Sequence, residues 1–158
     1  MPAPTGSAAP IREAVAGFIA CVEDADTSPQ ARLARLPGSL DRISLAYHAG
    51  TAPQDAPSQA EPPDREYKAL RELVAQRFPD LGFYSAAPPG ETLDAEITVG
   101  DAIDDITDIY SEMLDVAWCF ENTSDEDALR LFRFGFEHHW GRHLCDLRGA
   151  VHFELFGM

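Results

Sequence analysis

The chain has 158 residues, 45% of them apolar and 25% charged, and its 27 acids against 12 bases give a formal net charge of -15. The apolar share is ordinary for a folded protein and too high for a disordered one, and the length suits one domain. A pI near 4.5 argues against nucleic acid and against anionic membranes, and no apolar run approaches the roughly 20 residues that span a bilayer.

Residues 1–9 are small residues and proline without positive charge, which predicts a disordered arm rather than a signal peptide. From there to residue 158 a single helical domain is expected. The first helix spans about Pro10 to Ala25, with Ile11, Val15, Phe18 and Val22 on one stripe. Ser28 caps a second helix that runs to about residue 48 and kinks at Pro37, where a backbone hydrogen bond is lost. Residues 50–63 hold four prolines and read as a mobile loop. Asp64 is expected to cap a third helix that Pro79 ends. Residues 79–99 read as an irregular flap, with no strand in it.

The fourth helix is predicted from about Asp101 to Glu121 and buries Ile103, Ile106, Tyr110, Met113 and Val116. After the turn at Asn122-Thr123-Ser124, a fifth runs from Ser124 to about Arg148, with acids in its first turn where the helix dipole favours them. The fold class is therefore all-α: a bundle of about five mostly antiparallel helices, with the long flap between the third and fourth. Cys21, Cys119 and Cys145 are odd in number and widely spaced. They predict neither a disulfide framework nor a thiolate zinc site, and they fit reduced thiols in the cytoplasm.

The charge is segregated. No Lys or Arg occurs between Phe78 and Leu129, a stretch that carries 14 acidic residues. At about 100° per residue, Asp101, Asp105, Asp108, Glu112 and Asp115 form one stripe opposite the apolar stripe of the fourth helix. It reads either as a solvated face or as a docking surface for a basic partner or cations. Like charges three and four apart cost a few tenths of a kcal/mol per pair, and no lysine relieves them, which raises the odds of a functional surface.

Four of the five histidines, His138, His139, His143 and His152, fall in or just after the last helix. His139 and His143, spaced i, i+4, match metal-ligand geometry on a helix, although such a pair is more often a hydrogen-bonded packing feature. The short turn makes the last two helices an antiparallel hairpin, which sets Asp105 level with residue 141, Asp104 with Arg142 and Asp101 with Cys145. A cluster of Asp105, His139 and His143, joined by Asp108 or Asp146, follows. It reads as an internal polar network or as a divalent-metal or acid/base site.

The segment Phe134-x-Phe136-x-x-His139-Trp140-Gly141-x-His143, with Leu147-Arg148 and His152 after it and Asp104-Asp105-x-x-Asp108-Ile109-Tyr110 before it, resembles a bacterial family known as domain-of-unknown-function family 5063. Phe18-Ile19 through Glu23-Asp24 is similar to the start of that family. The resemblance covers roughly residues 10–152 and implies a small helical bacterial protein, with no activity attached. Ser111-Glu112-Met113 departs from it by lacking a lysine or arginine after the tyrosine.

The expected function is a non-enzymatic interaction module, of adaptor, inhibitor or immunity type and without a cofactor, whose Asp101, Asp105, Asp108, Glu112 and Asp115 bind a basic protein partner. The alternative is a metal-dependent hydrolase, with a divalent metal held by Asp105, Asp108, His139 and His143. Oligomeric state is not set by the sequence.

Overall fold

A computed structural model describes residues 8–50, 57–87, 89–90 and 92–157. Most of the expected N-terminal arm and residues 51–56 of the proline-rich loop fall outside them. Among the described residues there are six helices and one small sheet: α1 Ala9–Glu23, α2 Pro29–Ala49, α3 Tyr67–Arg77, β1 Phe83–Ala86, β2 Thr98–Asp101, α4 Ala102–Asn122, α5 Asp125–His138 and α6 Trp140–Phe156. None of the helices is long and apolar enough to cross a membrane.

The first two helices form as their patterns dictate. Pro10 sits at the start of α1, where a missing N–H costs nothing. The Ser28 side chain accepts from the Ala31 amide and caps α2, which continues through Pro37. These two helices and α4 share one core, centred on Phe18, Leu36, Leu40, Ile43, Ile106 and Ile109, all fully buried. Helix α4 is the axis of the molecule and packs against α1, α3, α5 and α6. It therefore buries residues nearly all round, Asp105 and Thr107 among them.

Three expectations need correction. Asp64 does not cap α3, which starts later behind Glu66 and has no side-chain cap. The flap is not strandless: β1 and β2 pair antiparallel, with Tyr84 opposite Gly100 and Ser85 opposite Val99. The last helix is two helices, broken at His139, whose backbone (φ -147°, ψ -82°) leaves the helical region. At that break the chain folds tightly on itself. A Cβ on Gly141 would lie 2.2 Å from the Phe136 carbonyl oxygen, so only glycine fits there. The described part of the proline-rich loop, residues 57–66, has no regular structure, and Ser58 ties it to Asp127 on α5 (3.1 Å).

Candidate metal centre

The break at His139 decides the site. It sets His139 against Glu112 near the middle of α4 and His143 against Asp105 and Asp108, closer to the start of that helix. His143 Nδ1 donates to Asp105 Oδ1 at 2.7 Å, and its Nε2 lies 3.4 Å from Asp108 Oδ2. His139 Nδ1 bonds Glu112 Oε1. The two imidazoles meet edge to face, with ring centroids 4.8 Å apart. One ligand atom each from Asp108, His139 and His143 falls within 4.8 Å of the other two. All three residues were expected in the metal set, and they come together.

Asp105, the fourth expected member, has another place. It is 7% exposed and both its oxygens are engaged: one accepts from the His143 ring, the other from the Tyr84 hydroxyl. It orients His143 rather than facing the cluster. Tyr84 reaches it because Gly100, across the sheet, leaves the ring its space; a Cβ there would lie 2.3 Å from the Tyr84 ring. Tyr84 and Glu112 are the functional residues that the sequence reading missed in these roles. Asp146 stays out of the cluster and lines a separate cleft on α6.

The electrostatics follow from burial and pairing. The Asp105 hydrogen bond raises the His143 pKa against the opposing effect of burial, and Asp108 adds to the rise. Burial raises the Asp108 carboxyl, partly offset by the nearby His143 charge. Burial also raises Glu112, with His139 pulling the other way. Burial and then the Asp105 hydrogen bond raise the Tyr84 hydroxyl.

The acidic stripe is not a free solvated face. Arg71 on α3 bonds Asp101 (2.7 Å) and approaches Asp104 (3.6 Å), and the Tyr67 hydroxyl bonds Asp104 as well. Arg65 pairs with Asp115. Arg142, expected beside Asp104, is exposed, and Asp101 lies against α3 rather than beside Cys145. So α3 covers one flank of the stripe and the His139 break covers the other. Tyr110, part of the Asp-Asp-x-x-Asp-Ile-Tyr element, donates to Glu23 on α1 at 2.6 Å, so that residue holds α1 on α4.

What the cluster offers chemically is two imidazoles and one carboxylate. A fixed set of this kind suits a divalent transition ion with positions left for water. Each histidine has its Nδ1 held by its own carboxylate, Asp105 for one and Glu112 for the other. That arrangement sets the ring orientation and leaves Nε2 as the ligand atom.

Comparison with known proteins adds family and fold. No curated protein matches the chain. Protein BF1032 from Bacteroides fragilis is similar in structure, with a TM-score of 0.70 at 19% identity, over 90% of this chain and 88% of that one. At that identity the likeness speaks for the fold alone. A family model described as domain of unknown function (DUF5063) matches residues 3–156, nearly the whole length, and the chain belongs to that family.

Proposed function

We propose that the protein is a metal-dependent hydrolase that holds one divalent first-row transition ion through Asp108, His139 and His143. The observation that supports this most is the distance from His143 Nε2 to Asp108 Oδ2, 3.4 Å. It is too long for a good N–H···O bond, which spans about 2.7–3.2 Å. Two donors about 2.0–2.1 Å from one ion at a tetrahedral angle lie about 3.4 Å apart. Asp105 and Glu112 supply the outer carboxylates such a site requires. An ion in this setting lowers the pKa of a bound water and polarises an ester or phosphoryl oxygen.

The docking role for a basic partner has less to carry it. Each of Asp101, Asp105, Asp108, Glu112 and Asp115 already has a cationic or histidine neighbour within the chain. What supports that reading is the segregation of 14 acidic residues into the base-free stretch between Phe78 and Leu129.

Chelator-stripped protein, titrated with Co(II), Zn(II) and Mn(II) by calorimetry and thermal shift, tests the metal reading. One ion bound per chain, with a raised Tm and loss of binding in His139→Gln/His143→Gln, is expected. Uptake that this double variant leaves undiminished, or no uptake at all, overturns it. Loaded protein that binds the ion yet leaves nitrophenyl phosphate and nitrophenyl acetate intact overturns the hydrolase assignment.

A further inference from the structure

Between the β1–β2 hairpin and α6 lies a cleft of about 670 Å³, within the roughly 300–1,000 Å³ range of small-molecule sites. Small residues make it. Gly149 and Ala150 face it from α6, and a Cβ on Gly149 would meet nothing within 4 Å. Its walls are aromatic: Phe83 and Tyr84 from β1, Phe153 from α6. Phe83 is 78% exposed and Phe153 63% exposed, so both rings are bare to whatever enters.

The charge in the cleft has one sign. Asp146 and Glu154 line it, and no lysine, arginine or histidine does. Asp146 is half-buried, yet among the described residues it has neither a hydrogen bond nor an ion pair. A carboxylate without a partner inside the chain is available to pair with a cation that enters the cleft. Aromatic faces attract ammonium groups for the same electrostatic reason, and both features repel anions. We propose that this cleft binds a small organic cation, an ammonium group carried on an apolar body. The body packs against Phe83 and Phe153, and the charge sits by Asp146. This assignment does not depend on an ion at Asp108, His139 and His143.

Cys145 supplies the test. It lines the cleft and is the one exposed cysteine; Cys21 and Cys119 are buried. The rate of its modification by iodoacetamide, followed by intact mass, reports occupancy. Benzyltrimethylammonium is compared with benzyl alcohol and benzoate, probes of similar body and different charge. The cation should slow the modification at least about fivefold more than either of the others. Asp146→Asn should reduce the cation's effect to that of the alcohol. Gly149→Leu, which fills the hollow at a helical position where leucine is the better helix former, should abolish the effect of the cation on the rate. Equal protection by all three probes, no protection by any, or a cation preference that survives Asp146→Asn overturns the proposal.

Discussion

Asp105 carries a charge into a buried position, and the chain compensates it from two sides. One oxygen accepts from the His143 ring and the other from the Tyr84 hydroxyl. An isolated carboxylate there would be strongly disfavoured. Removing its charge therefore acts on His143, not on an ion directly. Asp105→Asn should lower the affinity for Co(II) about 10–100-fold, the usual effect of an outer partner, and cost about 1–3 kcal/mol in urea unfolding as one partner loses its acceptor. Asp108→Asn removes a ligand and should lower Co(II) affinity further at a smaller cost in stability. Calorimetry on both variants separates the roles; equal losses would return Asp105 to the ligand set. The sequence made His139, His143, Asp105 and Asp108 neighbours through helical spacing and a short turn. It did not reveal Tyr84, because that residue comes from a segment with no periodicity, whereas a carboxylate holding a buried imidazole, one of the two readings of the cluster, is what Asp105 and His143 form.

The element that shapes the site is the break between α5 and α6. Helical periodicity continues straight across His139, so spacing alone joins the two helices into one. What separates them is the packing of Trp140 and the approach of Gly141 to the Phe136 carbonyl, neither of which has a period. The register of the helices shifts with it, and His143 meets Asp105 and Asp108 while Glu112 meets His139. The hairpin strands escaped notice for a related reason: each is four residues long, too short to show alternation. Two glycine substitutions in α6 test this reading because helix propensity treats them alike. Alanine is favoured over glycine by about 1 kcal/mol in a helix. Gly149→Ala, with open space around it, should gain up to that amount. Gly141→Ala meets a backbone oxygen that cannot swing away and should lose about 1–3 kcal/mol, with Co(II) affinity falling alongside. Urea unfolding of the two variants reads the opposite signs directly.

At the scale of the whole molecule, the net charge of -15 is arranged rather than spread. Arg71 on α3 and Arg65 just before it lie against a helix that has no base of its own, so elements far apart in sequence neutralise each other in part. Another arginine closes the fold by bonding carbonyls rather than a carboxylate. Arg32 is 2% exposed. Its guanidinium donates to the carbonyls of Cys21 (3.0 Å), Thr27 (3.1 Å) and Arg77 (3.2 Å), and to that of Asp24. It thus joins the ends of α1 and α3 to the start of α2. Nothing in the apolar spacing of α2 marks it, since a basic residue between Ala31 and Leu33 reads as a surface position. Only the convergence of three chain segments makes it a buried cap for carbonyls the helix ends leave open. Replacement by methionine keeps much of the stem and strands those carbonyls. At about 1–3 kcal/mol for an unsatisfied buried group, Arg32→Met should cost about 2–4 kcal/mol, which for a chain of this size lowers Tm by roughly 4–16 °C. Arg35 is the internal control: it pairs with Asp24 at 3.3 Å but is largely exposed, and Arg35→Met should cost under about 1 kcal/mol. Thermal unfolding of the pair decides it, because equal Tm values would mean that the carbonyl cluster contributes no more than a surface ion pair.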